Sequence, residues 1–413
     1  MTDIAIKSAE KFGTPQYLFL EDVLARKAEQ LKNLLEHEYR RCEIYYPYKT
    51  NSLSRICKLL HQRGIFAEVA SGVELSMAQK NMAEKIIFNG HGKSDSEIRQ
   101  ALDDSSVIIN IDSIDELATI MSVAKLGRKK AEVGLRLRLS CSEKRYRIFG
   151  IGEHDLQHAL SIIRRQNRIS LLGLSFHIGT EFASAKPYIN AFRELRRFIF
   201  LLSYTDRTEL RFVDIGGGLG SGGYRKISLY EKAKMRLNLP ISRKPLPTPD
   251  INMFCRQIVD SFRQEILTIP GINEPSLFIE PGRYLVNDSI HMLAKVLYIK
   301  DGFAIMDFGQ NCMPNILNEV HPVVNLSNPS KKMLNFKCYA STPVDAGPAF
   351  RHLFGSSIKK GDILAIMNVG AYKDAYFQQF TKPRPKVVGV AGKKLKLLRD
   401  EEKAEDRQRQ VGL

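Results

Sequence analysis

Short apolar runs alternate with amphipathic stretches from about residue 25 to residue 283, and this alternation restricts the fold more than any other feature. The run Cys42–Tyr48 predicts the first strand of the series, and Leu277–Ile279 predicts the last. Between them, stretches such as Leu53–Gln62 have the apolar spacing of amphipathic helices. About eight strand–helix repeats are typical of a parallel sheet closed into a barrel. The predicted class is therefore α/β, with a (β/α)₈ TIM barrel.

Beyond the last predicted barrel strand the sequence becomes β-rich. Runs such as Tyr284–Val286 and Met292–Tyr298 predict short strands separated by glycine and proline. Tyr17–Leu20, near the other end of the chain, supplies a further strand. We therefore expect a second domain of the β-sandwich or β-barrel type, built from both chain ends. The expected domains are residues 26–283 for the barrel, and residues 1–25 together with 284–413 for the β domain.

The chain carries a net charge of +17, from 62 Lys+Arg against 45 Asp+Glu in 413 residues. The basic residues are spread along the chain without a nucleic-acid-binding motif, so we expect no nucleic-acid partner. A solvated basic surface accounts for the charge, and attraction of a negatively charged substrate or an acidic carrier protein is the alternative. No apolar run approaches the ~18 residues of a membrane helix, so we expect no membrane association.

The six cysteines are scattered, with no C-x-x-C pair and no Cys/His cluster. This spacing argues against a zinc site and is typical of free thiols in a reducing compartment. The first residues, Met1-Thr2-Asp3-Ile4, lack the basic and apolar pattern of a secretory signal. We therefore expect a cytoplasmic protein without a bound metal.

Two predicted barrel strands end in side chains that can carry chemistry. Lys49 directly follows the apolar run that ends at Tyr48, and His177 closes another strand before a turn of small residues. Taken alone, each residue favours a structural interpretation, Lys49 as a snorkelling lysine and His177 as a core histidine. Both nevertheless stand at the strand ends where TIM barrels carry their active sites.

Two glycine-containing motifs follow two later strands. Gly216–Gly218 comes directly after an apolar run, and consecutive glycines let backbone N–H groups close around an anion. Glu280-Pro281-Gly282-Arg283 combines a carboxylate, a glycine and a guanidinium. Each motif alone is also consistent with an ordinary tight turn. Together with Lys49 they indicate a phosphorylated cofactor that has an aldehyde for the lysine and a pyridinium for the carboxylate, which is pyridoxal 5′-phosphate.

These motifs, in this order, resemble those of the ornithine/diaminopimelate decarboxylase family, the fold-type III group of pyridoxal phosphate enzymes. The resemblance runs from Thr14-Pro15 to Pro383-Arg384-Pro385 and includes Glu68–Leu75, His177–Thr180 and Gly370–Tyr372. It implies an alanine-racemase-like barrel with a β domain, and a homodimer whose active site is shared between subunits. It also implies a decarboxylase that removes the α-carboxylate of an amino acid.

The resemblance assigns roles to individual residues. Lys49 would hold the cofactor as a Schiff base, Glu280 would keep the pyridine nitrogen protonated, and His177 would stack on the ring. The phosphate would be held by the backbone of the glycine motifs together with Arg283 and Tyr372. The implied cofactor site comprises Lys49, Glu68, Arg136, His177, Thr180, Gly216, Gly217, Gly218, Glu280, Gly282, Arg283 and Tyr372.

The chain departs from the family at a catalytic cysteine, which the family carries in a G-P-x-C context and uses to return a proton to the substrate carbon. The matching stretch here is Cys338–Asp345. Matching on Asp345, which we expect to contact substrate, puts Ser341 at the cysteine position as the catalytic residue. Serine has a far higher pKa than cysteine and is a poorer proton donor. A shifted register would instead make Cys338 the working thiol.

The substrate-selecting stretch also departs. Diaminopimelate decarboxylases typically have Arg-Pro-Ala-Leu-Tyr before a histidine, where this chain has Met313–Leu317 before His321. The arginine for a distal carboxylate is therefore missing. Ornithine-type enzymes place Tyr-Asp at Leu317-Asn318, so the counter-ion for a distal ammonium is missing too, although Glu319 is adjacent. We expect Asn318 and Glu319 to contact an unfamiliar substrate, such as an amino acid on a larger handle in a specialised biosynthetic pathway.

Two other functions stay open on the sequence alone. An amino-acid racemase or epimerase on the same fold needs an acid or base on each face of the cofactor ring. Ser341 in place of cysteine makes this alternative less remote than it is for other members of the family. A non-catalytic regulatory homologue would bind only partners. Such a protein has no physical need for Lys49, the triple glycine and Glu280–Arg283 together, so the sequence favours a decarboxylase.

Overall fold

The computed structural model describes residues 2–236, 246–314, 319–343 and 348–410. The chain divides into two compact units. The barrel unit comprises Arg26–Gly220 and Pro249–Tyr284, and the β unit comprises Met1–Ala25, Ser221–Thr248 and Leu285–Leu413. Ser221–Thr248 is thus grouped with the β unit, whereas the sequence places it in the barrel domain. The expected domain boundaries stay a prediction.

Strands and helices alternate through the barrel unit, and strands dominate the β unit. Within the described residues the strands are β1 (Gln16–Leu20), β2 (Cys42–Pro47), β3 (Phe66–Val69), β4 (Ile86–Phe88), β5 (Val107–Ile111), β6 (Ala131–Arg136), β7 (Ile169–Ser175), β8 (Phe212–Asp214), β9 (Arg225–Lys226), β10 (Ser276–Ile279), β11 (Ile290–Lys300), β12 (Phe303–Met306), β13 (Glu319–Val320), β14 (Val323–Asn325), β15 (Met333–Tyr339), β16 (Phe350–Phe354), β17 (Ile363–Ile366), β18 (Lys386–Ala391) and β19 (Lys394–Arg399). The α-helices are α1 (Thr2–Phe12), α2 (Glu21–Glu38), α3 (Ser54–His61), α4 (Gly72–Lys80), α5 (Asp95–Leu102), α6 (Ile114–Gly127), α7 (Glu153–Arg164), α8 (Lys186–Phe200), α9 (Tyr204–Glu209), α10 (Leu229–Arg236), α11 (Ile251–Phe262), α12 (Gly282–Val286) and α13 (Ala404–Gln410). Among the described residues, none of these helices combines the length and the apolar character that crossing a bilayer requires.

The strands of the barrel unit form a closed parallel barrel in the order β10-β2-β3-β4-β5-β6-β7-β8, and β8 pairs back to β10. A helix follows each strand along the chain, which is the connection that parallel neighbours require. Strands such as β4 and β8 are buried along their whole length, as expected where helices cover the outer face of a barrel. The predicted (β/α)₈ TIM barrel is confirmed.

Aromatic side chains fill the interior of the barrel below the strand ends that carry the functional residues. Phe212 stacks on Phe278 with ring centroids 4.7 Å apart, and Tyr45 lies 4.7 Å from Phe278 on its other neighbouring strand. Gly173 makes room for this layer, because a Cβ atom there would lie 2.6 Å from the Phe212 ring. The packed interior supports the strand ends against rearrangement.

The β unit is organised around the long strand β11, which pairs with β1, β12 and β17. Because β12 also starts the series β12-β15-β16-β14-β17-β11, these six strands form a closed ring. Strands β1, β18 and β19 extend the sheet beyond β11, and β1 runs parallel to β18. Strands from both ends of the chain therefore share one sheet, which confirms the predicted β-rich second domain.

Two local expectations differ from the structure. Tyr284–Val286, predicted as a strand, lies in helix α12. Its side chains are all buried, and an apolar run of this length does not distinguish a buried helical turn from a strand. Helix α1 is missing from the sequence-based expectations, although Ala5 and Ala9 pack there against Leu18 in the core of the β unit.

The amphipathic helices can be tested on α6, which presents one leucine to the core and another to solvent. Leu117 is fully buried, whereas Leu126 is 77% exposed. We expect Leu117→Ala to lower the free energy of unfolding by about 2–5 kcal/mol because it leaves a cavity. Leu126→Ala on the same helix serves as the control and should change it by less than about 0.5 kcal/mol. Equal effects in urea unfolding would contradict this packing.

Candidate active site

Side chains with chemical function follow three neighbouring barrel strands. Lys49 lies in a single helical turn, Tyr48–Thr50, directly after β2. Glu68 lies within β3, and Glu280 comes directly after β10. The strands β10, β2 and β3 pair side by side. Because the C-terminal ends of parallel strands meet at one end of a barrel, these residues share the end where TIM barrels carry their active sites.

Lys49 presents an accessible amine that is held by a buried carboxylate. Its Nζ lies 2.6 Å from Oε2 of Glu68. The Lys49 side chain is 45% exposed, whereas that of Glu68 is fully buried. The other oxygen of Glu68, Oε1, is buried and has no hydrogen-bond partner among the described residues. The arrangement fixes one amine at the barrel mouth and leaves a buried acceptor beside it.

A buried network of side chains joins Glu280 to Asp214. Asn89 Nδ2 donates to Glu280 Oε1. Asn110 Nδ2 donates to Asn89 Oδ1 at 2.7 Å and to Asp214 Oδ2 at 3.3 Å. The other oxygen of Asp214 accepts the backbone N–H of Gly216 at 2.9 Å. The two carboxyl groups are therefore oriented by amide donors.

The same carboxyl groups have raised pKa values. Burial raises the pKa of Glu280 well above its usual range, and the nearby charges of Asp214 and Glu68 raise it further, while Lys49 opposes this. Burial also raises the pKa of Asp214, to about 6. A cation bound beside Glu280 would favour the ionised form of this group. A protonated ring nitrogen is such a cation, so the carboxyl groups fit the pyridoxal ring.

His177 follows β7 and is held as a neutral imidazole. Burial, together with the positive charges of Arg136 and Lys49, lowers the pKa of His177 to about 3. Its Nδ1 accepts the backbone N–H of Gly217 at 3.2 Å, so the ring proton belongs on Nε2. The ring of Tyr146 contacts His177 edge-on, with centroids 4.8 Å apart. The imidazole is thereby oriented at the glycine loop without adding charge.

The loop Gly216–Gly218 approaches other backbone segments too closely for side chains. A Cβ atom at Gly217 would lie 2.5 Å from the carbonyl oxygen of Glu280. A Cβ atom at Gly218 would lie 2.5 Å from the carbonyl oxygen of Gly179, and φ there is +119°. These glycines bring the loop against the segments that carry His177 and Glu280. The close approach fits a phosphate cradle made of backbone groups.

The Glu280–Arg283 motif adds two further features to this end of the barrel. A Cβ atom at Gly282 would collide with Oγ1 of Thr50. That hydroxyl is buried and has no hydrogen-bond partner among the described residues, so it is suited to bind a cofactor oxygen. The guanidinium of Arg283 lies against the carboxylate of Glu181. The Thr50 hydroxyl beside the motif and the Arg283 guanidinium within it therefore fit a phosphate.

Arg136 and Thr180 also lie at strand ends of the barrel unit. Arg136 ends β6, lies 3.8 Å from Asp112 through its NH1 group and packs over the Phe149 ring. The backbone N–H of Thr180 donates to Glu143 Oε1 at 3.2 Å. Every residue of the predicted cofactor site except Tyr372 thus belongs to the barrel unit.

The remaining predicted site residues belong to the β unit. Tyr372 has a left-handed backbone with φ of +65°. Ser341 follows β15, and its Oγ donates to the carbonyl oxygen of Phe308 at 3.1 Å. Glu319 is buried, with Oε2 3.0 Å from Lys373 Nζ. The predicted substrate residues Asn318 and Asp345 lie outside the described residues.

A cavity of about 560 Å³ lies within the β unit. Met313, which stands where the family has an arginine, lines it together with Glu319 and the aromatic rings of Phe350 and Phe380. Cys338, the alternative to Ser341, is buried in β15, and burial raises the pKa of its thiol to about 12. An enclosed thiol of this kind is a poor partner for a substrate carbon.

Three residues of the carboxylate network carry no role in the sequence-based expectations. Asn89 directly follows β4, Asn110 lies in β5, and Asp214 ends β8. Their common signal is a polar side chain at the C-terminal end of an apolar barrel strand. The same criterion that singles out Lys49 and Glu280 therefore finds them, once every strand end is examined.

Comparison with known proteins places this site in a family. The model described as "Pyridoxal-dependent decarboxylase, pyridoxal binding domain" matches residues 21–287. A diaminopimelate decarboxylase of Methanocaldococcus jannaschii is 27% identical, over 96% of this chain and 91% of its own length. That of Methanothermobacter thermautotrophicus is 28% identical, over 97% and 92%.

Solved structures give the same result. The M. jannaschii diaminopimelate decarboxylase in complex with L-lysine has a TM-score of 0.82 at 25% identity, covering 99% of this chain and 94% of that one. The arginine decarboxylase of Paramecium bursaria Chlorella virus, at 17% identity, shares the fold with a TM-score of 0.75, covering 94% of this chain and 100% of that one. The chain belongs to the pyridoxal-dependent decarboxylases, the ornithine/diaminopimelate decarboxylase family of fold-type III, and is an amino-acid decarboxylase whose cofactor is pyridoxal 5′-phosphate.

Proposed function

We propose that the chain removes the α-carboxylate of its amino-acid substrate with the cofactor held covalently on Lys49. One observation carries this proposal. The accessible Nζ of Lys49 lies 2.6 Å from the buried carboxylate of Glu68, at the barrel end where Glu280 is also buried. An amine paired with a buried acceptor and placed beside a second carboxyl group is the arrangement that pyridoxal chemistry uses.

Each residue of the site has a distinct task in this proposal. When bound, pyridoxal phosphate supplies an aldehyde for amines and an electron-poor ring that takes up the electron pair left as CO₂ departs. Lys49 would hold the aldehyde, and Glu68 would orient the amine. Glu280, oriented by Asn89, holds a proton on the ring nitrogen. His177 is neutral and packs on the ring without adding a charge that opposes this proton.

The phosphate is bound by the other side of the same site. The backbone at Gly216–Gly218 and Gly282, the hydroxyl of Thr50 and the guanidinium of Arg283 provide donors. Tyr372 would add its hydroxyl, as the family resemblance implies. These contacts would fix the position of the cofactor relative to Lys49.

We further propose that the chain works as a homodimer and that Ser341 takes the place of the family's cysteine in returning the proton to the substrate carbon. Support comes from the burial of Cys338 and from the raised pKa of its thiol, about 12. Ser341 is only partly buried. In the family the corresponding cysteine belongs to the neighbouring subunit, which is why a dimer is needed.

The substrate is proposed to be an amino acid without the distal carboxylate of diaminopimelate. Met313 stands where the family has an arginine, so the expected guanidinium is missing. Met313 lines the β-unit cavity together with Phe350 and Phe380. Glu319 cannot replace the arginine, because it is negatively charged and already pairs with Lys373. An amino acid attached to a larger handle, delivered free or by an acidic carrier in a specialised biosynthetic pathway, fits this change of chemistry.

Covalent attachment of the cofactor is testable with two matched lysines. Lys85 pairs with Glu43 at 2.8 Å and its side chain is also 45% exposed, but it precedes β4, away from the functional strand ends. After borohydride reduction, we expect wild-type protein and Lys85→Ala to carry cofactor mass on the Lys49 peptide, and Lys49→Ala to carry none. Labelling of Lys49→Ala at the same level would refute the assignment.

The raised pKa of Glu280 makes the cofactor-free chain less stable as pH rises. A carboxyl group whose pKa is higher in the folded state contributes stability at low pH, and this stability is lost as pH rises through the folded pKa. Glu280→Gln mimics the protonated form. We expect the difference in unfolding free energy between Glu280→Gln and wild type to favour the mutant more at pH 8 than at pH 4. An identical difference at both pH values would contradict it.

Substrate choice and reaction type can be separated in one assay. We expect little CO₂ release from diaminopimelate, lysine or ornithine, because neither distal counter-ion is present. The M. jannaschii diaminopimelate decarboxylase, tested on the same panel, serves as the positive control. Robust turnover of any of the three would refute the proposal that the chain acts on a specialised substrate. Inversion at Cα without CO₂ release would identify a racemase instead.

A further inference from the structure

Arg283, which the proposed function assigns to the cofactor phosphate, is paired with a carboxylate of the chain itself. Its Nε lies against Oε1 of Glu181, and the two side chains are 5% and 7% exposed. The charges of such a buried pair are poorly screened by water and depend on one another. Any anion that approaches Arg283 must therefore share it with Glu181.

The position of Glu181 is fixed by the loop that forms the phosphate cradle. The next residue, Phe182, donates its backbone N–H to the carbonyl of Gly218 at 2.8 Å. Its own carbonyl accepts the backbone N–H of Gly220 at 3.1 Å. Glu181 itself has a left-handed backbone with φ of +65°. A residue other than glycine rarely adopts this conformation and does so at a cost in free energy. The loop thus holds Glu181 in a strained position against Arg283.

A carboxylate beside the phosphate cradle opposes phosphate binding in two ways. It repels the phosphate by charge, and it occupies a donor that the phosphate would use. It also compensates the charge of the buried guanidinium of Arg283, which lowers the cost of burying that charge when no cofactor is bound. The same contact therefore favours the cofactor-free chain and disfavours the loaded one.

We propose that Glu181 is a positioning residue that holds Arg283 in the cofactor-free chain and competes with the cofactor phosphate for it, so that the chain binds its cofactor more weakly than it would with a neutral side chain at this position. The inference rests on the proposed role of Arg283 in binding phosphate. Glu181 thus competes with the cofactor for Arg283. When the cofactor binds, its phosphate replaces the Glu181 carboxylate as the partner of Arg283.

The test measures cofactor affinity of the cofactor-free protein by fluorescence titration, without an activity assay. Glu181→Gln keeps the size of the side chain and removes its charge. We expect this variant to bind pyridoxal phosphate about tenfold more tightly than wild type, the effect of one charge-assisted contact. Inorganic phosphate should likewise raise its melting temperature more than that of wild type. Structural damage moves affinity in the opposite direction, so it cannot imitate this result.

Two further variants complete the experiment. Glu194→Gln removes a carboxylate of the same unit that accepts the backbone N–H groups of Ser140 and Cys141, and it should leave cofactor affinity unchanged. We also measure the effect of Glu181→Gln in an Arg283→Gln background. There it should change the logarithm of the cofactor dissociation constant by less than half of its effect in the wild-type chain, because the shared partner Arg283 is gone. Unchanged or weaker binding by Glu181→Gln overturns the inference. Failure of wild type to bind the cofactor at all would instead overturn the proposed function, and the inference with it.

Discussion

Three carboxyl groups buried at one end of the barrel set the conditions for the rest of the site. Glu68, Asp214 and Glu280 are all below a tenth exposed, and Glu68 holds the amine of Lys49. Burying ionised carboxylates costs several kcal/mol each unless cations or donors compensate. Amide donors to Asp214 and Glu280, together with the raised pKa values of these two groups, offset part of this cost. Under the proposed function, binding a cationic ring would stabilise the fold as well as prepare the reaction.

The barrel explains which site residues the sequence reveals. Lys49, His177 and Glu280 each follow an apolar strand, and a strand-end position is readable from the pattern of the chain. The glycine loop is readable because consecutive glycines are rare outside tight backbone approaches. The same strand-end criterion finds the positions of Asn89 and Asn110 but not their roles, because these roles depend on which side chains face each other across the closed barrel. The separation of two residues along the chain does not show whether their side chains face each other in the barrel.

The β unit shows the limit of reading strands from apolar runs. Strands β11 and β18 are apparent in the sequence, since each has several buried apolar residues. Strand β19 has the sequence KLKLLR and is largely exposed, so only its pairing with β18 identifies it. The buried Glu319–Lys373 pair is equally hidden, because the two residues lie far apart in the chain and meet only through the fold.

The charges of the barrel site are arranged in two opposed groups, and this division determines how a cofactor with two charges can enter. Glu280 and Asp214 form the negative group, and Arg283 with the backbone donors of the glycine loop forms the positive one. A ring with a protonated nitrogen and a phosphate complements both groups in one orientation only. The two groups are compensated differently within the chain, however. Burial raises the pKa values of Glu280 and Asp214, whereas Glu181 pairs with Arg283. Under the proposed function, pH would therefore act on cofactor binding at the first group, and side-chain charge would act on it at the second.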